Sequence, residues 1–213
     1  VWEVANFVEE LGRARKLERA QFYGDLDSDW VSRAITSTQT WQAVVVTWVR
    51  PRAPWYKLNT VASVVNGRAS GGGVLRDSNG RLVFAFYKEF GKNGVLQAEA
   101  LAVLEGLRLC AARGLHGVLV EMDSAVLVLL VKSLALGGWS YCNVLRKFRR
   151  LLEQVSFSFQ HIFRKANMVA DKLAALLRYP SMVFDSLYLL PRGIRGYLAL
   201  DAREFPSFRL VHC

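Results

Sequence analysis

The stretch from Val95 to Ser124, VLQAEALAVLEGLRLCAARGLHGVLVEMDS, reads as a helix, a stop at Gly114 and a strand, with Glu99 in the first element and Asp123 at the end of the second standing in apolar settings. Helical spacing puts Glu99 on one face with Ala102, Val103, Gly106 and Cys110. A carboxylate there rides on a stripe of small residues that can approach a sheet closely. The strand Val118-Leu119-Val120-Glu121-Met122 then delivers Asp123 at its carboxyl end, where open α/β sheets place their ligands. Taken singly, both acids have structural readings: Glu99 as a first-turn acid answering the helix macrodipole, and Asp123-Ser124 as the cap of the next helix. A third acid changes the weighing. In NMVADKLAALL, Asn167 to Leu177, Asp171 sits in the first turn of another amphipathic helix and shares a face with Asn167, Ala174 and Ala175.

Working outward, YKLNTVASVV from Tyr56 reads as a strand, Gly71-Gly72-Gly73 leads into a second strand at VLR, and D-S-N-G at 77–80 signals a hairpin into RLVFAFYKEF. After Asp123 come a helix over about 124–136, a Gly137-Gly138 break, a basic helix over about 141–154, the alternating strand SFSFQHIF and the Asp171 helix. The order β-β-β-α-β-α-α-β-α describes an α/β fold, a five-stranded mixed sheet flanked by helices, since the late strands need crossovers. This core spans 55–178. Residues 1–54 read as an N-terminal helix and linker, and 179–213 as a C-terminal extension that packs on the core or on a neighbour.

The 213 residues, 52% hydrophobic and 22% charged, are enough for one good core with appendages. A formal charge of +10 points to a polyanionic partner, nucleic acid or an anionic membrane surface. The longest apolar run, Ala125 to Leu136, contains Lys132 and falls short of the roughly 20 residues that cross a bilayer, so no membrane partner is expected. Cys110, Cys142 and Cys213 form no CxxC pair, so neither a disulfide framework nor a zinc site is indicated. A reducing compartment, nuclear or cytoplasmic, is expected, and no secretory signal is evident after Val1.

Five motifs in order resemble one known family: W-Y-K-L-N-T at 55–60, G-G-G-V-L-R-D-S-N-G at 71–80, Q-A-E-A-L-A-V-L-E-G-L at 97–107, V-E-M-D-S at 120–124 and F-R-K-A-N-M-V-A-D-K-L-A at 163–174. The chain is similar to type 1 ribonuclease H, in particular to its plant branch related to the reverse transcriptases of non-LTR retroelements. The resemblance implies an endonuclease that hydrolyses the RNA strand of RNA/DNA hybrids with two Mg²⁺ ions held by four carboxylates. By position Glu99, Asp123 and Asp171 are three of those catalytic metal ligands. Two hard cations about 4 Å apart orient the attacking water and stabilise the leaving oxygen, and carboxylate oxygens suit them.

The fourth acid is missing. The family's first strand continues K-L-N-T-D-G-S, whereas this chain reads K-L-N-T-V-A-S, with Val61 where the first catalytic aspartate belongs. An isopropyl group cannot ligate Mg²⁺, so the metal pair is weakened and catalysis is expected to be impaired. Asn59 and Ser63, on the same strand face by period two, are neutral donors and poor substitutes. Glu121 is expected to be an exposed strand acid and His161 a structural residue of the fifth strand. Nucleic-acid contacts are expected from Arg164, Lys165 and Asn167 before the last acid, and from Arg146 and Arg150 on the basic helix, reading backbone and 2′-hydroxyl rather than base sequence. The alternative is a noncatalytic nucleic-acid-binding or interaction module on the same fold.

Overall fold

Gly71 and Gly72 explain the architecture locally. A Cβ on Gly71 would lie 2.7 Å from the Ala102 Cβ, and one on Gly72 would lie 2.3 Å from the Ala174 backbone nitrogen. Successive strand residues point to opposite faces, so this bare stretch lets a helix press onto the sheet from each side. The glycines therefore lie inside a strand rather than leading into one.

The computed structural model describes residues 41–133, 146–148, 150–151, 156–176 and 180–212. Its strands are β1 (Trp41–Val46), β2 (Tyr56–Val65), β3 (Arg68–Arg76), β4 (Leu82–Lys92), β5 (Val118–Met122), β6 (Phe157–His161), β7 (Met182–Phe184) and β8 (Ser207–His212). Its helices are α1 (Val95–Ala112), α2 (Ala125–Ser133), α3 (Met168–Ala174) and α4 (Arg192–Ala202), with a short 3₁₀ turn at Arg164–Ala166. The main sheet runs in the order β6-β5-β2-β3-β4-β7. Strands β2, β3 and β4 form an antiparallel meander, and β5 and β6 add in parallel beside β2. All five expected strands are present.

The sheet has a sixth strand that the sequence did not suggest. Residues 182–184 pair antiparallel with β4 through Ala85, Phe86 and Tyr87. Three residues after a proline carry no periodic signal of their own, so only the free edge of β4 selects them as a strand. The expected N-terminal helix over residues 1–20, most of the 24–53 linker and most of the basic helix lie outside the described residues.

Two apolar layers cover the sheet. On one face Leu58, Leu75, Phe84, Phe86, Val120 and Met122 meet Val103, Leu107 and Cys110 of α1 with Leu127 and Val131 of α2. On the other face Val74, Ala85 and Tyr87 meet Val169 and Leu173 of α3 together with Phe184, Leu190, Ile194 and Leu198. The alternation of Val74 with Leu75, and of Phe84 and Phe86 with Ala85 and Tyr87, is the period-two signature of strands buried on both sides. The C-terminal extension thus supplies much of the second layer. One compact unit runs from Val46 to Ser207. In the other, β1 pairs with β8 in a two-stranded sheet. Among the described residues no helix is long and apolar enough to cross a membrane.

Candidate active site

Three elements deliver the expected acids. Glu99 stands one turn into α1, whose first turn contains no acid, so it does not serve the helix terminus. Its face partners Ala102, Val103, Gly106 and Cys110 are all buried against the sheet, as their spacing predicts. Asp123 follows the last residue of β5. Ser124 caps α2 by accepting the Leu127 N–H at 3.3 Å, and it favours the charged form of the Glu99 carboxyl. Asp171 lies in the first turn of α3. The structure brings these acids into electrostatic reach of one another: Glu99 feels the charge of Asp123, and Asp123 feels that of Asp171. Burial pushes the Glu99 and Asp123 carboxyls above the usual range, and the neighbouring acid adds to each shift.

Val61 of β2 packs against the helix that carries Asp171. It is 3% exposed and forms a small apolar cluster with Ala170 and Ala174 of α3. The helix closes on β2 and β3 at this point: Ser70 Oγ donates to the Ala174 carbonyl at 2.8 Å, and Asn167 Nδ2 donates to the Thr60 carbonyl at 3.1 Å. Asn167, expected at the nucleic-acid surface, is instead 1% exposed and serves to seat α3. Its Oδ1 is buried without a partner.

Arg164 and Lys165 begin the 3₁₀ turn and are both exposed. The Arg164 guanidinium turns inward: Nε donates to Asp171 Oδ1 at 2.7 Å, and Nη2 bonds the same oxygen. His161 ends β6, is exposed and meets the Phe163 ring edge-on at 5.3 Å, within electrostatic reach of Asp123. Arg146 and Arg150 are exposed on the helical segment near Phe148. Arg150 does not join the acids. With Lys147 it lines a separate concavity of about 480 Å³ over Phe90, Leu101 and Leu104.

Glu121 corrects the expectation of an exposed strand acid. It is 3% exposed and centres a buried polar network on the α3 face of the sheet. Lys57 Nζ approaches it at 2.7 Å, and Asn59 Nδ2 donates to it at 2.8 Å. Asn59 Oδ1 accepts from Trp48 Nε1 at 2.9 Å and from Arg76 Nη2 at 2.6 Å. Arg76, fully buried, stacks 3.5 Å from the Trp48 ring centre and pairs with Asp201 of α4 at 2.6 Å. No local signal announces this network, because Arg76 and Asp201 are 125 residues apart.

The donor set does not fit a pair of divalent cations. Val61 offers no oxygen, and Asp171 is already bonded by a guanidinium. Among the described residues no three His, Cys, Asp or Glu side chains converge closely enough to hold a metal ion.

A family model described as reverse transcriptase-like matches residues 58–176, more than half of the chain. The chain belongs to the ribonuclease H-like, reverse transcriptase-related family. Within that family it is 32% identical over 160 residues to an Arabidopsis thaliana protein named for ribonuclease H, covering 74% of this chain and 26% of that one. The chain thus spans about a quarter of the length of this curated relative. Among solved structures, the ribonuclease H1 LC11, solved with an RNA/DNA hybrid, superposes with a TM-score of 0.52 at 22% identity, covering 55% of this chain and 92% of that one. The ribonuclease H1 LC9, a type 1 enzyme with the type 2 active-site motif, gives 0.57 at 14% identity over 75% of this chain and 90% of that one. At these identities the superpositions speak for the ribonuclease H-like fold alone.

Proposed function

We propose that this ribonuclease H-like domain binds RNA/DNA hybrid or a related duplex through its phosphates, and that two-metal hydrolysis of the RNA strand is impaired. The observation that carries the reading is Val61, buried against Ala170 and Ala174 at the corner where the resemblance calls for the first acid. With Glu99, Asp123 and Asp171 alone, Mg²⁺ would have to be held one carboxylate short, and the repulsion between two dications would be less well offset. Binding does not need that acid. The formal charge of +10, with Lys165 exposed on the turn before α3, supports phosphate attraction, and the hybrid bound by LC11 supports the ligand class.

The test is fluorescence anisotropy with a labelled hybrid over a salt series, run beside a cleavage assay in Mg²⁺. Affinity should fall steeply with salt, and Lys165→Ala should lower the slope of log K against log salt by about one phosphate's worth. Cleavage by the unaltered protein should be at or near background, with Asp123→Asn as the control for contaminating nuclease. Val61→Asp should raise Asp123-dependent cleavage, alone or with Ala62→Gly, although an acid placed in this apolar corner costs about 2–4 kcal/mol of stability without a bound cation. Salt-independent or absent binding would remove the nucleic-acid role. Robust Asp123-dependent cleavage by the unaltered protein would remove the impairment. A Val61→Asp protein that folds, binds and remains silent would favour the noncatalytic module.

A further inference from the structure

Arg164 stands where one positive charge meets three negative ones. Its guanidinium bonds Asp171 through Nε and Nη2, and its charge acts on Asp123 and Glu99 as well. The backbone fixes the arrangement: Arg164 opens the 3₁₀ turn after β6, and the Asn167 N–H closes that turn on the Arg164 carbonyl at 3.0 Å. The Asp171 N–H in turn bonds the Asn167 carbonyl at 3.1 Å, so turn and helix run on continuously. The Arg164 side chain is 65% exposed while that of Asp171 is only 15% exposed. The guanidinium therefore lies over the acid from the solvent side. An isolated pair this exposed contributes little, but here one guanidinium acts on three carboxylates, and Asp123 stands in repulsive reach of both Glu99 and Asp171.

We propose that Arg164 is the resident counter-ion of the acid cluster, standing in this chain for the divalent metal pair and withdrawing Asp171 from ligation. This deepens the impaired-catalysis reading by naming what neutralises the acids in place of metal. A guanidinium suits the role because it is permanently charged and presents a fork of donors to carboxylate oxygens. It cannot supply the second half of a metal site, since it carries a single charge and no exchangeable position for water. The site is stable with no divalent ion, and an ion can enter only by displacing Arg164.

The experiment uses the whole chain and reads metal binding without nucleic acid or turnover. Thermal unfolding is recorded in EDTA and in 10 mM MgCl₂ for the unaltered protein and for Arg164→Gln, Arg164→Lys and Arg164→Gln/Asp171→Asn. Free Mn²⁺ is titrated in parallel by electron paramagnetic resonance. The unaltered protein should show no shift in Tm with Mg²⁺ and no saturable Mn²⁺ binding below millimolar concentration. Arg164→Gln should melt lower in EDTA, regain roughly 2–4 °C with Mg²⁺ and bind Mn²⁺ at least tenfold more tightly than the unaltered protein. Arg164→Lys should lie between, since it keeps the charge but not the fork, and the double variant should lose the response to Mg²⁺. Should Arg164→Gln not fold, Arg164→Lys and the Mn²⁺ titration of the unaltered protein still decide. Tight Mn²⁺ binding or a Mg²⁺-dependent rise in Tm by the unaltered protein overturns the proposal, and so does an Arg164→Gln or Arg164→Lys protein indifferent to Mg²⁺. None of these outcomes depends on hybrid binding, so the proposal and the nucleic-acid reading fail separately.

Discussion

Glu121 and Asp123 sit two residues apart at the end of one strand and have opposite fates. Asp123 passes beyond the last β5 pairing and joins the acid cluster, whereas Glu121 remains in register opposite Asn59 and is sealed under Trp48 and α4. Its closest cation is Lys57, and the two side chains are 4% and 5% exposed. Removing one partner from such a pair leaves the other charge buried alone. Glu121→Ala is therefore expected to destabilise by about 3–5 kcal/mol, read as a lower midpoint in a urea titration at pH 7. The double variant Lys57→Met/Glu121→Leu should recover part of that loss, because it removes both charges and keeps apolar volume. A Glu121→Ala protein as stable as the parent would show that the network is solvated.

Element packing explains why small residues recur in the site motifs. Strand β3 presents Gly71 to α1 and Gly72 to α3, and the nearest atoms to a Cβ on Gly72 are backbone atoms of Leu173 and Ala174. Backbone cannot swing aside as a long side chain can, so Gly72→Ala must push α3 outward or bend β3. We expect a loss of about 1–3 kcal/mol from overpacking, measurable by thermal unfolding. Gly94→Ala makes a useful comparison, since a Cβ there meets nothing within 4 Å. It should cost less. Because α3 carries Asp171 and the cluster residues Ala170 and Ala174, the Gly72 change should also disturb the acid corner, whereas the Gly94 change should not.

At the scale of the whole molecule, the family motifs span less than the compact unit. Residues beyond 178 contribute β7, the apolar anchors Phe184, Leu190, Ile194 and Leu198, and the Asp201 carboxylate that pairs with fully buried Arg76. Burial pushes the Arg76 guanidinium down and the Asp201 carboxyl up from their ordinary values, and their attraction opposes both shifts. Cutting the chain after Arg178 strips four apolar side chains and leaves Arg76 without its acid. The loss should exceed about 4 kcal/mol, enough to abolish cooperative unfolding in a marginally stable domain. Circular dichroism melts of residues 46–178 against 46–207 check this. A shorter fragment that melts as sharply and at the same temperature would reduce the extension to a decoration.

By itself the sequence determined the five strands over 56–161, α1 with its stop at Gly114, the hairpin at 77–80, and the spacing of Val61, Glu99, Asp123 and Asp171 along the chain. These are local properties: periodicity, turn chemistry and ordered motifs within a few dozen residues. Tertiary structure alone decided the burial of Glu121 and Asn167, the inward turn of Arg164 onto Asp171, the sixth strand at 182–184 and the Trp48–Arg76–Asp201 network. Burial of a polar residue depends on what covers it. For Glu121 and Arg76 the cover comes from Trp48 before β2 and Asp201 after α3, distant in sequence and without a periodic signal that names their partners, and for Asn167 it comes from Thr60 of β2.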